Sequence, residues 1–546
     1  MAAHMLLSPR HLWGKIAAIL DNCPSRVNSE NARVSVFIGQ NLCHLLLGAL
    51  QRKRYKMKFK IGLVLSSALI CLAATAPHAL ADDDEAARLT TLFESYLTDT
   101  EGVVTVEANG DDYDVTLDMS PLAEAAAKDA PAGDAGSFKL TPIEFSMTSQ
   151  GDGKWEITQD QSITMSAEVK GQMVMEEKVE SLKATGIFDE KLNYFSKLTG
   201  EATGISVSEK VTDPTAGTTD FSVSLKTMKI DQSGTPAANG GVDVVGKYTF
   251  DGLNENINTL GKPESGIPPM NIVIAAAGGN YDMTGKGLKA GSIFDLLAFF
   301  VAHQSKEEIT KDQAELKSSL TSGIPLWENM SANMKINAIT VSSQFGQVGM
   351  DSMDIVVDAN GIVKDGKFRE KVAVTGLTLP PALISPWATK LVPKNVGLDF
   401  TVSGFDLASP AQLLLTQLDL AKDPPIPEGF EQVLMPVFMP KGSVDVIFNP
   451  TNIDNETYNV KVEGSMTAGP GAMPSGKATI SMKGLDEVMK LIQAAPPEAG
   501  LQQGAAVVVV AKGMAKTESD GSLSWIVEAS PDGKILVNGI DPAKLQ

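Results

Sequence analysis

The sequence predicts a mainly β, β-rich α+β fold in which curved antiparallel sheets carry short helices. Apolar and polar residues alternate in many segments, for example at 113–119 and 143–147, and this is the period of a strand with one buried face. Turn signals such as Asn109-Gly110 separate these segments. Because one face of each strand stays polar, the pattern favours antiparallel sheets over buried parallel ones.

Residues 397–420 contain a strand, a glycine corner and a helix, and this unit recurs along the chain. Leu398 and Phe400 alternate with polar neighbours, which predicts the strand. Ser409 then has the position of a helix N-cap, with Gln412 as its capping-box partner. Similar units are predicted at 247–260, 281–300 and 477–492.

A charged segment divides the chain into two predicted β-rich regions. Residues 304–326 are helical in character, and we expect them to join a first region at 82–303 to a second at 327–546. The tracts that begin at Gly252 and Gly484 resemble each other, since each has a predicted helix, then prolines, then an apolar strand, at 272–274 and 507–510 respectively. Duplication of one half explains this similarity, and so does independent use of common turn residues.

Residues 57–81 have the three parts of a secretory signal peptide. A basic start at Met57 leads into an apolar run at 61–74, and Ala79 and Ala81 form a small-x-small cleavage site before Asp82. The apolar run is shorter than the ~20 residues of a membrane span, so no retained transmembrane anchor is expected. The signal predicts an exported, periplasmic protein.

Residues 1–56 differ in composition from the rest of the chain. Only Arg88 and Arg369 follow residue 81, whereas this segment holds five arginines: Arg10, Arg26, Arg33, Arg52 and Arg54. Since a signal peptide begins at the N-terminus, we interpret Met57 as the start and residues 1–56 as a mis-assigned leader. An unusually long basic region of the signal peptide is the alternative.

Without residues 1–81 the chain is strongly acidic and has no cysteine. It keeps 36 Lys and Arg against 64 Asp and Glu, a net charge of −28. That charge repels nucleic acid, so no nucleic-acid partner is expected. The three cysteines all lie upstream, which excludes a thiolate site in the remaining chain. His303 is its only histidine, and we expect it to cap a helix end. No catalytic residue, cofactor or metal site is predicted.

Apolar surface is the remaining candidate for function. We identify a candidate apolar surface on two predicted helices, formed by Phe294, Leu297, Val301, Leu414 and Leu418. Methionines also alternate on strand faces, as at Met119 and Met147. Methionine is a soft side chain that suits variable apolar ligands, although it fills cores equally well.

Three stretches of the second half resemble a known protein family. Residues 521–539 read GSLSWIVEASPDGKILVNG, which predicts a strand, a Pro-Asp-Gly turn and a second strand. Together with LTLPP at 377–381 and GLDFTVSG at 397–404, this stretch resembles a family of secreted Gram-negative proteins with a domain of unknown function. That family is similar in style to the AsmA-like and YdgA-like envelope proteins. The resemblance implies a periplasmic, β-rich, elongated protein in envelope or lipid homeostasis, and it supplies no catalytic residues.

We therefore expect a non-enzymatic envelope protein that binds a lipid or other apolar ligand on a curved sheet. A carboxylate-based hydrolase of envelope glycans is an alternative, and it requires two carboxyl groups about 5 to 10 Å apart in a polar cleft. A structural or surface-displayed interaction protein is a further alternative.

The signal peptide generates the first testable prediction. Expression of the full chain in a Gram-negative host should yield an exported product whose N-terminal residue is Asp82, because cleavage follows the small residue Ala81. N-terminal sequencing of the periplasmic fraction checks this. An exported product that retains residues upstream of Met57 would contradict both the cleavage site and the start site.

Overall fold

The computed structural model describes residues 81–128, 136–213, 215, 217–262, 268–303, 305–470, 473–499 and 501–544. These residues belong to one compact unit of the chain, Leu72–Gln546. The predicted leader, the signal peptide up to residue 80 with its cleavage-site residue Ala79, and residue 304 of the charged segment lie outside the described residues. At the predicted mature end, Asp82 is the N-cap of the first helix, and its carboxylate accepts a hydrogen bond from the amide of Glu85.

The described strands form one 20-stranded sheet that is large, open, curved and antiparallel, which confirms the predicted β-rich class. In chain order the strands are β1 Val104–Asn109, β2 Asp112–Leu117, β3 Ser137–Leu140, β4 Ile143–Gly151, β5 Lys154–Val169, β6 Met173–Asp189, β7 Tyr194–Asp213, β8 Gly217–Pro236, β9 Val242–Gly261, β10 Met270–Leu288, β11 Asn329–Ser343, β12 Gly346–Asn360, β13 Gly366–Thr375, β14 Asn395–Phe405, β15 Val444–Asp454, β16 Asn459–Ala468, β17 Ser475–Lys483, β18 Lys516–Thr517, β19 Leu523–Ala529 and β20 Ile535–Val537.

The sheet is a meander. From β4 to β17 each strand pairs with the next one in the chain. The series continues through β2 to β1 at one end and through β19 to β20 at the other, while β3 and β18 add short pairings beside β5 and β19. Sequential antiparallel pairing needs only short turns, and the sequence supplies these with residues such as Gly110 and Gly153 at positive φ.

Short helices fill the connections between some of the strands. They are α1 Asp83–Tyr96, α2 Ser120–Lys128, α3 Ala290–Ala302, α4 Lys306–Lys311, α5 Gln313–Gly323, α6 Ala408–Gln417, α7 Phe430–Phe438, α8 Leu485–Gln493 and α9 Gln502–Met514, with single 3-10 turns at Pro381–Leu383, Pro386–Leu391, Pro497–Ala499 and Pro542–Lys544. The predicted strand–helix units at 281–300 and 477–492 are confirmed, since β10 leads into α3 and β17 leads through Gly484 into α8.

The charged segment between β10 and β11 contains the helices α4 and α5. The sheet nevertheless continues past it, because β10 and β11 pair directly, with Tyr281 opposite Met334. The segment therefore connects neighbouring strands of one sheet.

The helix predicted within 247–260 is wrong, because β9 runs as one strand through this region. Gly252 adopts a φ of 66° and is itself skipped, but Asp251 and Asn254 beside it are paired with both neighbouring strands. The strand predicted at 507–510 is also wrong, because these valines lie within α9. The neighbouring strands β8 and β10 provide backbone hydrogen-bond partners for residues 247–260, which therefore stay extended. Residues with high helix propensity surround the valines at 507–510 and favour a helix there. The two tracts that resemble each other in sequence therefore differ in structure.

The predicted N-cap of α6, Ser409, is wrong, because the helix begins at Ala408 and Leu407 is at the N-cap position. Asp406 is the capping side chain, since it accepts hydrogen bonds from the Ser409 amide at 2.8 Å and from the Ser409 hydroxyl at 2.7 Å. Asp406 is buried, whereas Leu414 in the predicted apolar stripe is 37% exposed. The N-terminus of helix α6 is thus capped by hydrogen bonds, but the helix packs at the periphery of the fold.

A line of irregular residues crosses the long strands at one level. On β8, the residues of one face follow each other every second position, except that Leu225 and Met228, which share this face, are three positions apart. The β7–β8 and β8–β9 registers nevertheless do not shift there. The neighbours β7 and β9 carry the same extra residue, and Gly204 and Gly252 adopt positive φ at this level. Aligned irregularities of this kind bend a sheet without breaking its pairing.

The densest core lies where α1 packs against the first strands. Leu89 is fully buried, Phe93 meets Phe145 edge to face at 6.0 Å, and Tyr113 meets Trp155 in the same way at 5.8 Å. A second cluster joins Val242 and Val244 of β9 to Ala290 of α3. The helices therefore bury apolar side chains near one end of the long strands.

The contrast between these two environments generates a stability prediction. Leu89→Ala should lower the free energy of unfolding by about 2 to 5 kcal/mol, because it opens a cavity in a closed core. Leu414→Ala should cost less than about 1 kcal/mol, because solvent already reaches that side chain. Urea denaturation followed by far-UV circular dichroism measures both. Equal losses in the two variants would contradict the assignment of α6 to the periphery.

Candidate ligand-binding face

The pairing register assigns every strand side chain to one of two faces of the sheet. Residues directly opposite each other in antiparallel strands project to the same side. Following such partners from β5 to β19 gives one transverse row, almost all of it apolar or glycine: Gln161, Leu182, Ala202, Met228, Phe250, Gly279, Ile336, Met353, Val374, Val396, Ile453, Val460, Met482 and Leu523. We call this side of the sheet the apolar face.

Two more rows extend the apolar face beyond the line of irregular residues. One row contains Met165, Glu177, Val207, Val223, Glu255, Ile274, Val341 and Val348. The next contains Ala167, Met175, Glu209, Phe221, Ile257, Ile272 and Ser343. Most of these side chains from β6 to β11 are half-buried rather than closed into a core. The apolar face is therefore open to a ligand at this end of the strands.

The opposite side of the sheet, the polar face, is charged, and ion pairs cross between its strands. Ion pairs cross neighbouring strands at Lys183–Asp160 with 3.0 Å and at Lys229–Glu201 with 3.5 Å between nitrogen and oxygen. Each of these side chains is more than a third exposed, so such pairs contribute little stability. The sheet is thus amphipathic as a whole, with solvent on one side and an apolar surface on the other.

The helix residues predicted to form an apolar surface lie beside this face and on two separate helices. Phe294 of α3 is half-buried and meets Tyr96 of α1 edge to face at 6.0 Å, while Leu297 and Val301 are also half-buried. Leu414 is exposed, and Leu418 ends α6, where its carbonyl accepts a hydrogen bond from Lys317.

Sequence reasoning missed the strand residues of the apolar face. Their signal was present as alternation, for example at Val207, Val223 and Ile274. Alternation alone does not say whether a face is covered by a second layer, so these residues were indistinguishable from core.

Carboxylates interrupt the apolar face in its open part. Glu177 and Glu255 lie in one transverse row with Val207 and Val223 between them. Burial raises the pKa of both carboxyl groups above the ordinary value of glutamate. In the described structure neither carboxylate has a cationic partner. Their charged forms are therefore both poorly solvated and uncompensated.

The best-connected carboxylates of the polar face surround Arg369. Its guanidinium donates two hydrogen bonds to Asp399, at 3.0 and 2.8 Å, and one to Asp358 at 3.3 Å. Asn449 donates a further hydrogen bond to Asp399 at 2.7 Å. The Arg369 guanidinium, followed by the Asn449 amide, holds the pKa of Asp399 below its usual range. Both carboxylates are occupied by cross-strand bonds, which makes this cluster a clamp between β12, β13 and β14.

His303 lies at the end of α3, as predicted. It is the C-cap residue, its ring stacks on Phe299 with 4.1 Å between ring centres, and its nitrogens lie 2.8 Å from the Phe299 carbonyl oxygen and 3.2 Å from Asp312. Within residues 81–544 apart from the gaps given above, no group of three or more His, Cys, Asp or Glu side chains is arranged to hold a metal ion.

None of the helices in the described part of the chain is both long enough and apolar enough to span a bilayer. Comparison of the chain with protein-family models, with curated proteins and with solved structures finds no match in any of the three.

The Arg369 cluster generates a prediction about stability and pH. Arg369→Met should cost about 1 to 3 kcal/mol near pH 7, because it leaves the buried Asp399 charge without its main partner. Replacing both residues, as Arg369→Met with Asp399→Asn, should cost less than the single change. Urea denaturation from pH 3 to pH 7 measures this.

The pH dependence has a defined sign. The folded-state pKa of Asp399 is lowered, so its contribution is present above the ordinary aspartate pKa and is lost as the pH falls through the lowered value. The difference between wild type and Asp399→Asn should therefore shrink towards the acid end. A constant difference over the whole range would show that the ion pair does not stabilise the fold.

Proposed function

We propose that this protein is a non-enzymatic periplasmic binding protein that holds a lipid, or another molecule with long hydrocarbon chains, on the apolar face of its sheet. The observation that carries the proposal is the continuous row of apolar side chains from β5 to β19, with an open, half-buried region between β6 and β11. Envelope or lipid homeostasis is the role that this activity suits.

The size of the open region supports a hydrocarbon ligand. Six strands spaced about 4.8 Å apart span about 24 Å, and the three rows, which lie at Gln161, Met165 and Ala167 on β5, span about 20 Å along the strands. That area, about 480 Å², reaches the size at which exposed apolar patches on soluble proteins mark binding sites. Since a bilayer core of about 30 Å holds two hydrocarbon chains end to end, 24 Å is sufficient for one chain.

The composition of the face supports a ligand of variable shape. Methionines lie in the rows at Met165, Met175, Met228 and Met353. Their thioether side chains are flexible and polarisable, so they adapt to different apolar surfaces. Aromatic side chains such as Phe221 and Phe250 add large contact areas on the same face.

The predicted signal peptide and the resemblance to envelope proteins support the periplasmic location. The hydrolase alternative finds less support. On the described polar face, Asp358 and Asp399 are both bound to Arg369, and the cluster holds β12, β13 and β14 together. No observation favours an enzyme over a binding protein.

A pair of matched variants tests the proposed function. Val207→Asn with Val223→Asn places amides on the apolar face, while Ser206→Asn with Ser224→Asn places them on the polar face of the same two strands. The ligand is the neutral fluorescent probe N-phenyl-1-naphthylamine, titrated into the protein that begins at Asp82. We expect at least about a tenfold loss of affinity for the first variant, because each amide requires desolvation, and an unchanged affinity for the second.

Circular dichroism and melting temperature establish that both variants are folded. Lipid extraction and mass spectrometry of the protein purified from the periplasm then identify what it carries. Equal probe affinity in the two variants, or no probe binding by wild type, would overturn the proposed function.

A further inference from the structure

The charges of the sheet are divided between its two faces in an unequal way. In the described strands, every Lys and Arg that is paired in the register projects to the polar face, among them Lys178, Lys210, Lys229, Lys335, Arg369, Lys461 and Lys477. The apolar face carries carboxylates, among them Glu177, Glu209 and Glu255. On that face the paired residues of the described strands offer acidic groups and no cation.

The three carboxylates lie in adjoining rows of the open region. Glu177 is on β6 and Glu255 on β9 in the same row, three strand spacings or about 14 Å apart. Glu209 is on β7 between Met175 and Phe221 in the next row. Glu177 and Glu255 are too far apart to share one metal ion, whose ligand distances are about 2.0 to 2.6 Å. The arrangement suits a longer ligand that passes over several strands.

These carboxylates have no compensation within the described residues. No ion pair or side-chain hydrogen bond is formed there by Glu177, Glu209 or Glu255, whereas Lys210 on the polar face lies 3.8 Å from Asp220. Burial raises the pKa of Glu177 and Glu255, which is the signature of carboxylates that lose solvent without gaining a donor. An external cation would remove this cost.

A second and independent acceptor on the same face lacks a donor. Gln159 of β5 is 5% exposed, and its Oε1 has no hydrogen-bond partner in the described structure. It lies in the row that continues through Ala184, Gly200, Ile230 and Tyr248. The side-chain amide of Gln232 on β8, by contrast, has partners for both of its ends. Its oxygen accepts a hydrogen bond from the Tyr248 hydroxyl at 2.7 Å, and its nitrogen donates one to the Tyr194 hydroxyl at 2.6 Å. Gln161, in the adjoining row towards the carboxylates, has the reverse deficit, since its buried Nε2 has no acceptor in the described structure. A buried polar atom without a partner costs about 1 to 3 kcal/mol, so both glutamines add polar groups that a ligand on this face could satisfy.

We propose that the occupant of the apolar face is a lipid with a protonated amino head group, whose hydrocarbon chains lie on the apolar rows and whose ammonium pairs with one of the carboxylates Glu177, Glu209 and Glu255. This inference rests on the proposed function and adds the class of ligand. An ammonium has donors and no acceptor, which matches a face that has acceptors and no cation. An anionic head group would meet only like charge, on a chain whose formal net charge is −20.

A length-matched series of amphiphiles tests the inference on the protein that begins at Asp82. Tetradecylamine, tetradecanol and tetradecanoic acid, each below its critical micelle concentration at pH 7, compete with N-phenyl-1-naphthylamine for the apolar face. We expect the amine to bind at least about fivefold more tightly than the alcohol, the equivalent of one partly exposed ion pair. The acid should bind more weakly than the alcohol.

Charge variants locate the effect. Glu177→Gln with Glu255→Gln should remove most of the advantage of the amine over the alcohol, because only Glu209 remains as a partner, and it should leave the affinity of the alcohol unchanged. The matched control is Glu176→Gln, which lies next to Glu177 but projects to the polar face. Glu177→Lys, as a second test with a single change, should weaken the binding of the amine and strengthen that of the acid, because it places a cation on this face.

The outcomes separate this inference from the proposed function. If the alcohol competes but the amine is no better, or if Glu176→Gln has the same effect as the double variant, the amino head group is excluded while hydrocarbon binding stands. If none of the amphiphiles displaces the probe, the proposed function fails as well. The melting temperature of the double variant should stay the same or rise, because each change removes a poorly solvated charge; a fall would mean that the carboxylates serve the fold instead.

Discussion

The constraint on which this structure depends is the common register of a long antiparallel meander. Each strand aligns with its neighbours so that directly opposed side chains share a face, and a slip of one residue anywhere would move a whole strand's apolar side chains to solvent. The register survives the line of irregular residues only because the strands around β8 carry the same extra residue at the same level. Gly204 and Gly252 make this possible, since their positive φ values accommodate the extra residue where a Cβ would meet the side chains of Glu180 and Lys226.

The sequence predicts those parts of the fold that depend on local pattern. Alternation at Tyr113 and Val115, the turn at Gly110 and the passage from β17 through Gly484 into α8 are all local, and all are confirmed. The failures occur where distant partners decide. A glycine inside 247–260 suggests a corner, yet β8 and β10 on either side keep the segment extended. The valines at 509 and 510 suggest a strand, yet they lie exposed on α9, whose end is held by the Trp525 indole bonded to the Ala511 carbonyl.

The sequence predicts the kind of candidate site, an apolar surface, but not the residues that form it. Apolar alternation and methionine on strand faces indicated an apolar ligand, but the residues selected lay on the most hydrophobic helices. Helix hydrophobicity is conspicuous in a sequence, whereas a transverse row assembles one residue from each of many strands. Val207, Val223 and Ile274 are distant in sequence and become one surface only through the register.

Carboxylates have opposite roles on the two faces. Asp399 is buried on the polar face, but the Arg369 fork and Asn449 satisfy it, so its charge contributes to holding neighbouring strands together. Glu177 and Glu255 are half-buried on the apolar face with no donor in reach, and their raised pKa values show that the folded chain disfavours their charge. An arrangement that leaves acidic groups without donors on an otherwise apolar surface is unfavourable for the empty protein. The amino lipid proposed above would offset this cost, because it covers the apolar rows and brings a cationic donor with it.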